Sequence, residues 1–223
     1  MDIQPLLSSH YSLGRSLLTL EKKGTSSATG PQSIIDLAIL HKLGKIVLVE
    51  DNMSGFLEAY TNCKDAKIPL IFGLRLTFCA DASQKDEESL STEHKVIIFA
   101  RNHAGYKRLI KISPAAATTN FYYQPRMDFK ELKGHWNNDD LSMGIPFYSS
   151  FLAQNALTFS SCVPDFGFTK PVFFQESNKL PIDHIINCRL TEFTRDKFEV
   201  IRAKSIYYHK REDFLALNVL RCI

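Results

Sequence analysis

Apolar and polar positions alternate most clearly over residues 46–75, IVLVEDNMSGFLEAYTNCKDAKIPLIFGLR. Ile46, Val47, Leu48 and Val49 form an apolar run that stops at Glu50, Asp51 and Asn52. A helical stretch follows, and a second run of Leu70, Ile71 and Phe72 stops at Gly73, Leu74 and Arg75. This pattern predicts a β-α-β unit. Sites in α/β folds lie where strands end at their C-terminal edge, so Asp51, Asn52 and Arg75 are expected to face any pocket.

Upstream, residues 2–13 predict a short strand breaking into a polar loop, and residues 14–30, rich in Gly, Ser, Thr and Lys, predict a longer loop. A helix is expected from Pro31, with Ile34, Leu37, Ala38 and His41 at helical spacing and Gly44 as its stop. His41 reads as a partly buried or capping histidine. Downstream, residues 81–93 carry Asp86, Glu87 and Glu88 among serines without an apolar period, the pattern of a solvated loop. Residues 94–100 predict a buried strand led by His94. After Arg101, Asn102 and His103, which read as a loop, a helix is expected over 105–112, with Tyr106, Leu109 and Ile110 on one face. Residues 113–126 read as an extended connection. A strand over 141–147 and a helix over 148–157, with Phe151 and Leu152 inward, follow. Further strands are expected at 171–174, 198–201 and 205–208, and an amphipathic helix over 211–223. The alternation favours a parallel, barrel-like α/β architecture in a single domain spanning 1–223.

Composition narrows the function classes. Of 223 residues 44% are hydrophobic, enough for a sizeable core, and a net charge of +3 is too mild to announce nucleic-acid binding by bulk electrostatics. Five widely spaced cysteines without a C-x-x-C pair suggest neither a zinc ribbon nor a disulfide framework and read as reduced, mostly core thiols. No apolar stretch approaches a membrane span and no signal core leads the chain, so the expected location is cytoplasmic, with no membrane partner. Gly-rich phosphate loops and the G-x-S-x-G elbow are absent, which argues against nucleotide and serine-hydrolase sites. Tyr122, Tyr123, Arg126, Lys130 and Lys133 form a modest basic and aromatic group; it reads as solvated surface in preference to a DNA contact.

The segments SSHYSL, VEDNMSGFLEAY, IPLIFGLRLTF, HKVIIFARNHAGYKRLIKIS and VIRAKSIYYHKREDFLALNVLRCI resemble, in that order, the PHP (polymerase and histidinol phosphatase) domain at the N-terminus of C-family replicative polymerases, the DNA polymerase III alpha subunits. The histidine-led strand with ARNHAGYKRLIKIS carries the most specific part, while 113–140 and 148–197 match loosely. The resemblance implies a distorted (β/α)7 barrel. It also implies a site in which histidines and carboxylates bind a cluster of metal ions that activates water for phosphoester hydrolysis.

Carried over one position at a time, those ligands are mostly replaced. Leu6 and Ser8 stand where the family has its H-x-H. The aspartate of the family's YSLLDG falls on Arg15, and the histidine of its TDHGN on Asn52. Arg75 stands at the glutamate after the third strand, and Ser205 and Tyr207 at the closing D-x-H. His94 keeps a ligand type, and Asp51 keeps the neighbouring aspartate. Neutral oxygens cannot supply the charge a multinuclear cluster needs, and a guanidinium at a bridging position repels cations. The expectation is a pocket without metal or other cofactor, with Arg75 paired to Asp51. A rebuilt site from His10, His94 and His209 is the competing geometry, since two-residue shifts along a strand preserve the face.

Two functions follow from the resemblance. The favoured one is a non-catalytic PHP domain acting as a structural or interaction module in DNA replication, with a replicative polymerase core or other replisome proteins as partners and a proofreading exonuclease among them. The alternative is a metal-dependent phosphoesterase or 3'-5' exonuclease with a rebuilt metal site.

Overall fold

The computed structural model describes residues 3–26, 30–158, 160 and 162–222. The expected first strand from Asp2, the 27–29 part of the long loop and the expected helix end at Ile223 lie partly outside the described residues. In chain order the elements are β1 (Gln4–Leu7), α1 (Ile34–Leu40), β2 (Ile46–Glu50), α2 (Phe56–Asp65), β3 (Leu70–Phe78) and α3 (Glu87–Ser91). Next come β4 (His94–Ala100), α4 (His103–Ala117), β5 (Arg126–Met127), α5 (Phe129–His135) and β6 (Leu141–Ile145). The chain closes with α6 (Phe151–Thr158), β7 (Val172–Gln175), α7 (Pro181–Thr194), β8 (Glu199–Ile206) and α8 (Asp213–Cys222). The hydrogen-bonded strand order is β2-β1-β8-β7-β6-β4-β3-β5, and β2 also pairs with β3. Seven strands therefore close on themselves, with the two-residue β5 outside the ring: a distorted α/β barrel of PHP type. Its sheet is mixed, because β4 runs antiparallel to β6, which corrects the expectation of an all-parallel sheet.

The chain divides into two compact units, Pro5–Leu74 with Lys204–Ile223, and Met1–Gln4 with Arg75–Ala203. In the smaller unit β2 is buried at all five positions, as a strand covered on both faces should be, and pairs parallel with β3 in register Ile46↔Leu70 through Glu50↔Leu74. Gly73 thus sits opposite Val49 inside a nine-residue strand. Arg75 lies within β3, not past its end, which corrects the expected stop at 73–75. Helix α1 starts later than Pro31 because Ser33 supplies the cap, its Oγ accepting from the Ile35 amide at 3.1 Å. His41 is its exposed C-cap residue.

In the larger unit, Asp86 caps α3 by accepting from the Ser89 amide at 2.8 Å, so part of the expected 81–93 loop is helical. Asn102 caps α4 by accepting from the Gly105 amide at 2.8 Å, which makes His103 the first residue of a helix and extends that helix to Ala117. Gly105 allows a close approach: a Cβ there would lie 2.1 Å from the Asp140 carbonyl oxygen. Gly105→Ala is expected to lose about 1–3 kcal/mol despite alanine's better helix propensity, because backbone must move to admit the methyl; urea unfolding measures it. The two strands expected at 198–201 and 205–208 are one, β8, and helices α5 and α7 were not anticipated.

Arg126 is the largest fully buried side chain. Its Nη1 donates to Ser89 Oγ at 2.9 Å and lies 3.6 Å from Glu93 Oε1, its Nη2 donates to the Gln84 carbonyl, and its Cζ sits 4.8 Å from the Tyr122 ring centroid. Arg126 is thus structural and withdraws from the basic group seen in the sequence; Tyr123, Lys130 and Lys133 remain exposed. Cys63 and Cys79 are buried and burial pushes each thiol up to about 11, whereas Cys188 and Cys222 are exposed, so fewer of the free cysteines are core residues than expected.

Candidate functional site

In the smaller unit the ends of β1, β2 and β8 and the loop after β1 are tied by short polar contacts. Leu6 is buried, at 4% exposure. Ser8 is buried, and its Oγ donates to the Val49 carbonyl at 2.7 Å. Its own carbonyl accepts from Ser16 Oγ at 2.5 Å, and Ser16 also donates to the Tyr207 carbonyl at 2.9 Å. Asn52 is committed at both ends of its amide: Nδ2 donates to the Tyr11 carbonyl at 2.7 Å, and Oδ1 accepts from the Ser54 amide at 2.9 Å. Ser205 and Tyr207 are half-buried at the end of β8.

Two carboxylates stand at the end of β2. Glu50 is wholly buried and accepts from the Ser9 amide at 2.8 Å and from Ser12 Oγ at 2.5 Å. Burial raises its pKa, partly offset by those serine hydrogen bonds, with the nearby Asp51 charge pushing the same way as burial. Asp51, half-buried, accepts from Arg15 Nε at 3.0 Å, and its amide donates to Ser12 Oγ at 3.0 Å. Glu50 is thus enclosed by its own unit, and Asp51 is engaged by an arginine. That arginine is Arg15, which the sequence resemblance sets at the aspartate of the family's YSLLDG. Arg15 was not among the arginines the sequence pointed to for Asp51, and Glu50 was not singled out as a site residue. A single acid closing an all-apolar strand was the available signal.

The remaining two positions lie in the larger unit. Arg75 is buried, at 7% exposure, on β3. His94 opens β4 at 4% exposure. Its ring is stacked against Phe129 (centroids 6.1 Å, interplanar 16°) and meets Phe151 edge-on at 5.9 Å. Nδ1 lies 3.1 Å from the Thr92 carbonyl, which assigns the proton to Nδ1, and Nε2 has no hydrogen-bond partner among the described residues. Burial pulls its pKa down to about 4, against a smaller upward pull from the Thr92 carbonyl. Of the other histidines weighed for a rebuilt site, His10 is exposed beside Tyr11, and His209 is exposed with its ring 6.0 Å from His41. Among the described residues, no three His, Cys, Asp or Glu side chains come together in a group able to hold a metal ion.

A closed seven-stranded α/β barrel with a histidine-led β4 is of PHP type. The chain belongs to the PHP domain family, which it matches over residues 24–149, more than half its length. It is similar to the DNA polymerase III subunit alpha of Borreliella burgdorferi, 24% identical over 184 residues, covering 77% of this chain and 16% of that subunit. It is also similar to the subunit of the same name from Aquifex aeolicus, 26% identical over 188 residues with the same two coverages. The Helicobacter pylori (strain 26695) subunit is 36% identical over 93 residues, 41% of this chain and 8% of that protein. The chain spans about a sixth of the length of the relatives it matches most broadly.

Proposed function

We propose that this is a PHP domain without hydrolytic activity, serving as a structural or protein-interaction module alongside a replicative polymerase of the DNA polymerase III alpha type. The observation that carries this reading is the Arg15–Asp51 ion pair, a guanidinium at an expected ligand position, 3.0 Å from the neighbouring carboxylate. A multinuclear metal cluster needs anionic donors, and the residues at the family's positions do not fit one. Leu6 has no donor atom, Ser8 and Asn52 spend theirs on backbone, and His94 is caged by aromatic rings. Glu50 lies too deep to meet a substrate. What is left is architecture: Ser9, Ser12, Ser16 and Glu50 knit the strand ends together as a polar network that holds its own unit in shape. The similarity to polymerase III alpha subunits supports a replicative polymerase core as partner, with a proofreading exonuclease as a further one and a cytoplasmic location. No helix among the described residues is long and apolar enough to cross a membrane.

Arg75→Ala tests the reading. Truncating this buried side chain is expected to lower stability by about 1–3 kcal/mol in denaturant unfolding, through lost packing and broken polar contact. Background hydrolysis of a single-stranded DNA substrate should be the same in both proteins. A robust nuclease activity in the parent chain that disappears in the variant would reverse the assignment in favour of the phosphoesterase alternative.

A further inference from the structure

A cleft of about 610 Å3 opens in the larger unit where β6, β7 and β8 begin. Among the described residues, β6 is registered with β7 at Gly144↔Val172 and Ile145↔Phe173 alone, so the two strands part before Gly144 and the cleft occupies the seam beside Leu141 and Ser142. Backbone groups along a strand alternate in direction, so part of the 141–143 backbone faces that seam and not β4. The floor of the cleft is aromatic. Phe166 and Phe198 meet edge to face at 5.8 Å, and both pack on Phe173, at 6.3 and 5.4 Å. Phe168 is fixed by its neighbours, since Trp136 meets its ring edge-on at 5.7 Å and Asn138 Nδ2 donates to its carbonyl at 3.0 Å. All three phenyl groups are half-buried. Around them stand Arg101, Lys170 and Lys197, each exposed. Arg101 Nη1 donates to the Asn138 carbonyl at 3.1 Å, a neutral partner that leaves its charge uncompensated. No carboxylate is among the described lining residues. Of the acids near in sequence, Asp140 is held by Arg108 at 2.9 Å and Asp165 accepts from the Gly167 amide at 2.8 Å, while Asp196 and Glu199 flank Lys197 and Phe198 outside the lining. Three cations over an aromatic floor are a local excess that the net charge of +3 conceals.

We propose that this cleft docks an acidic segment of a partner protein, bound in extended form with one aromatic side chain as its anchor. The anchor packs against Phe166, Phe168 and Phe198, and carboxylates on either side of it meet Arg101, Lys170 and Lys197. The segment's backbone lies along the seam at 141–143, where β7 does not pair with β6. That strand backbone selects peptide over other polyanions, because a peptide brings its own row of N–H and C=O groups to it and a phosphate backbone does not. The cleft is separate from the positions set against the family's ligands: Lys197 and Phe198 precede β8, whereas Ser205 and Tyr207 stand at its other end. Docking here rests on the reading of the chain as an interaction module and gives that module its surface. It is read by binding alone, so a nuclease activity found in the chain would overturn the non-hydrolytic assignment and leave the docking result standing.

The probe is a fluorescein-labelled octapeptide with one central phenylalanine among aspartates. Titrated with the full chain, its anisotropy is expected to rise saturably, with an affinity that falls as salt screens the exposed charges. Trp136, the single tryptophan, meets Phe168, so its fluorescence should change when the unlabelled peptide is added. Lys170→Glu combined with Lys197→Glu, both exposed and so tolerated by the fold, should weaken binding at least about tenfold. The same charge change on helix α4, Lys107→Glu with Lys111→Glu, lies outside the cleft and should leave affinity within about twofold. Phe168→Ala should weaken binding about tenfold or more, as should alanine in place of the peptide's phenylalanine. Three results would each overturn the proposal: no saturable binding below about 1 mM peptide, equal losses in the two lysine pairs, or an oligothymidylate that displaces the labelled peptide as well as the unlabelled peptide does.

Discussion

Replacing Arg126 by methionine is expected to lower the stability of the chain by about 3–5 kcal/mol, the largest effect of any single substitution considered. The guanidinium is fully buried and satisfied from several directions, by Ser89, by the Gln84 and Asn120 carbonyls, by Glu93 and by the face of Tyr122. Removing it strands Glu93, whose side chain is 12% exposed, without its counter-charge. The cost comes from that uncompensated carboxylate more than from the lost attraction, since a buried pair as a whole contributes little. Guanidinium-chloride unfolding of Arg126→Met, of Glu93→Leu and of the double variant separates the two contributions. The double variant should recover much of what Arg126→Met loses. A loss below about 1 kcal/mol in Arg126→Met would mean the pair is not engaged as the structure shows.

Acid should loosen the chain through His94. Its folded pKa, about 4, lies below the ordinary value of 6.5, so between these two the unfolded chain binds a proton that the folded chain refuses. Stability from this group is therefore complete above about pH 6.5 and drains away as pH falls towards 4, by about 3 kcal/mol in all. Glu50 acts in the opposite direction. Its pKa is raised by burial, so its contribution is full below the ordinary carboxylate range and is lost as pH rises through its folded value. The two are separated by comparing the parent chain with His94→Phe, which keeps a flat ring among Phe78, Phe129 and Phe151. Urea midpoints measured from pH 7 to 4 should fall more steeply for the parent than for the variant. Parallel profiles would show that His94 takes up its proton freely and is not enclosed.

The elements legible in the sequence are those whose burial is continuous. Strands β2 and β4 read directly from IVLVE and HKVIIFA because both faces are covered. Helix α7 was invisible because two of its buried positions, Asp183 and Thr194, are polar, which breaks the apolar period carried by Ile186 and Leu190. Strand β8 shows neither a run nor an alternation, being exposed or half-covered at all but Ala203, so it read as two fragments. Glycine misled at Gly73, where the residue faces Val49 across a parallel ladder instead of ending a strand. The site was legible as a set of positions but not as a set of contacts. The positions set against the family's ligands can be named from the sequence, whereas Arg15, which donates to Asp51, lies 36 positions from it. Nothing in the local pattern picks out Arg15. The enclosure of Glu50 by Ser9 and Ser12 depends likewise on the way the loop after β1 folds back.

The most direct measurement is the metal content of the chain, purified without chelator and analysed by inductively coupled plasma mass spectrometry alongside a PHP domain with its ligands intact. Zinc, manganese and iron well below one ion per chain, unchanged by dialysis against each metal, are expected if the strand ends carry only Leu6, Ser8, Arg15, Asn52 and their hydrogen-bonded neighbours. Several tightly held ions per chain, lost together on substitution of His94, would contradict the central claim.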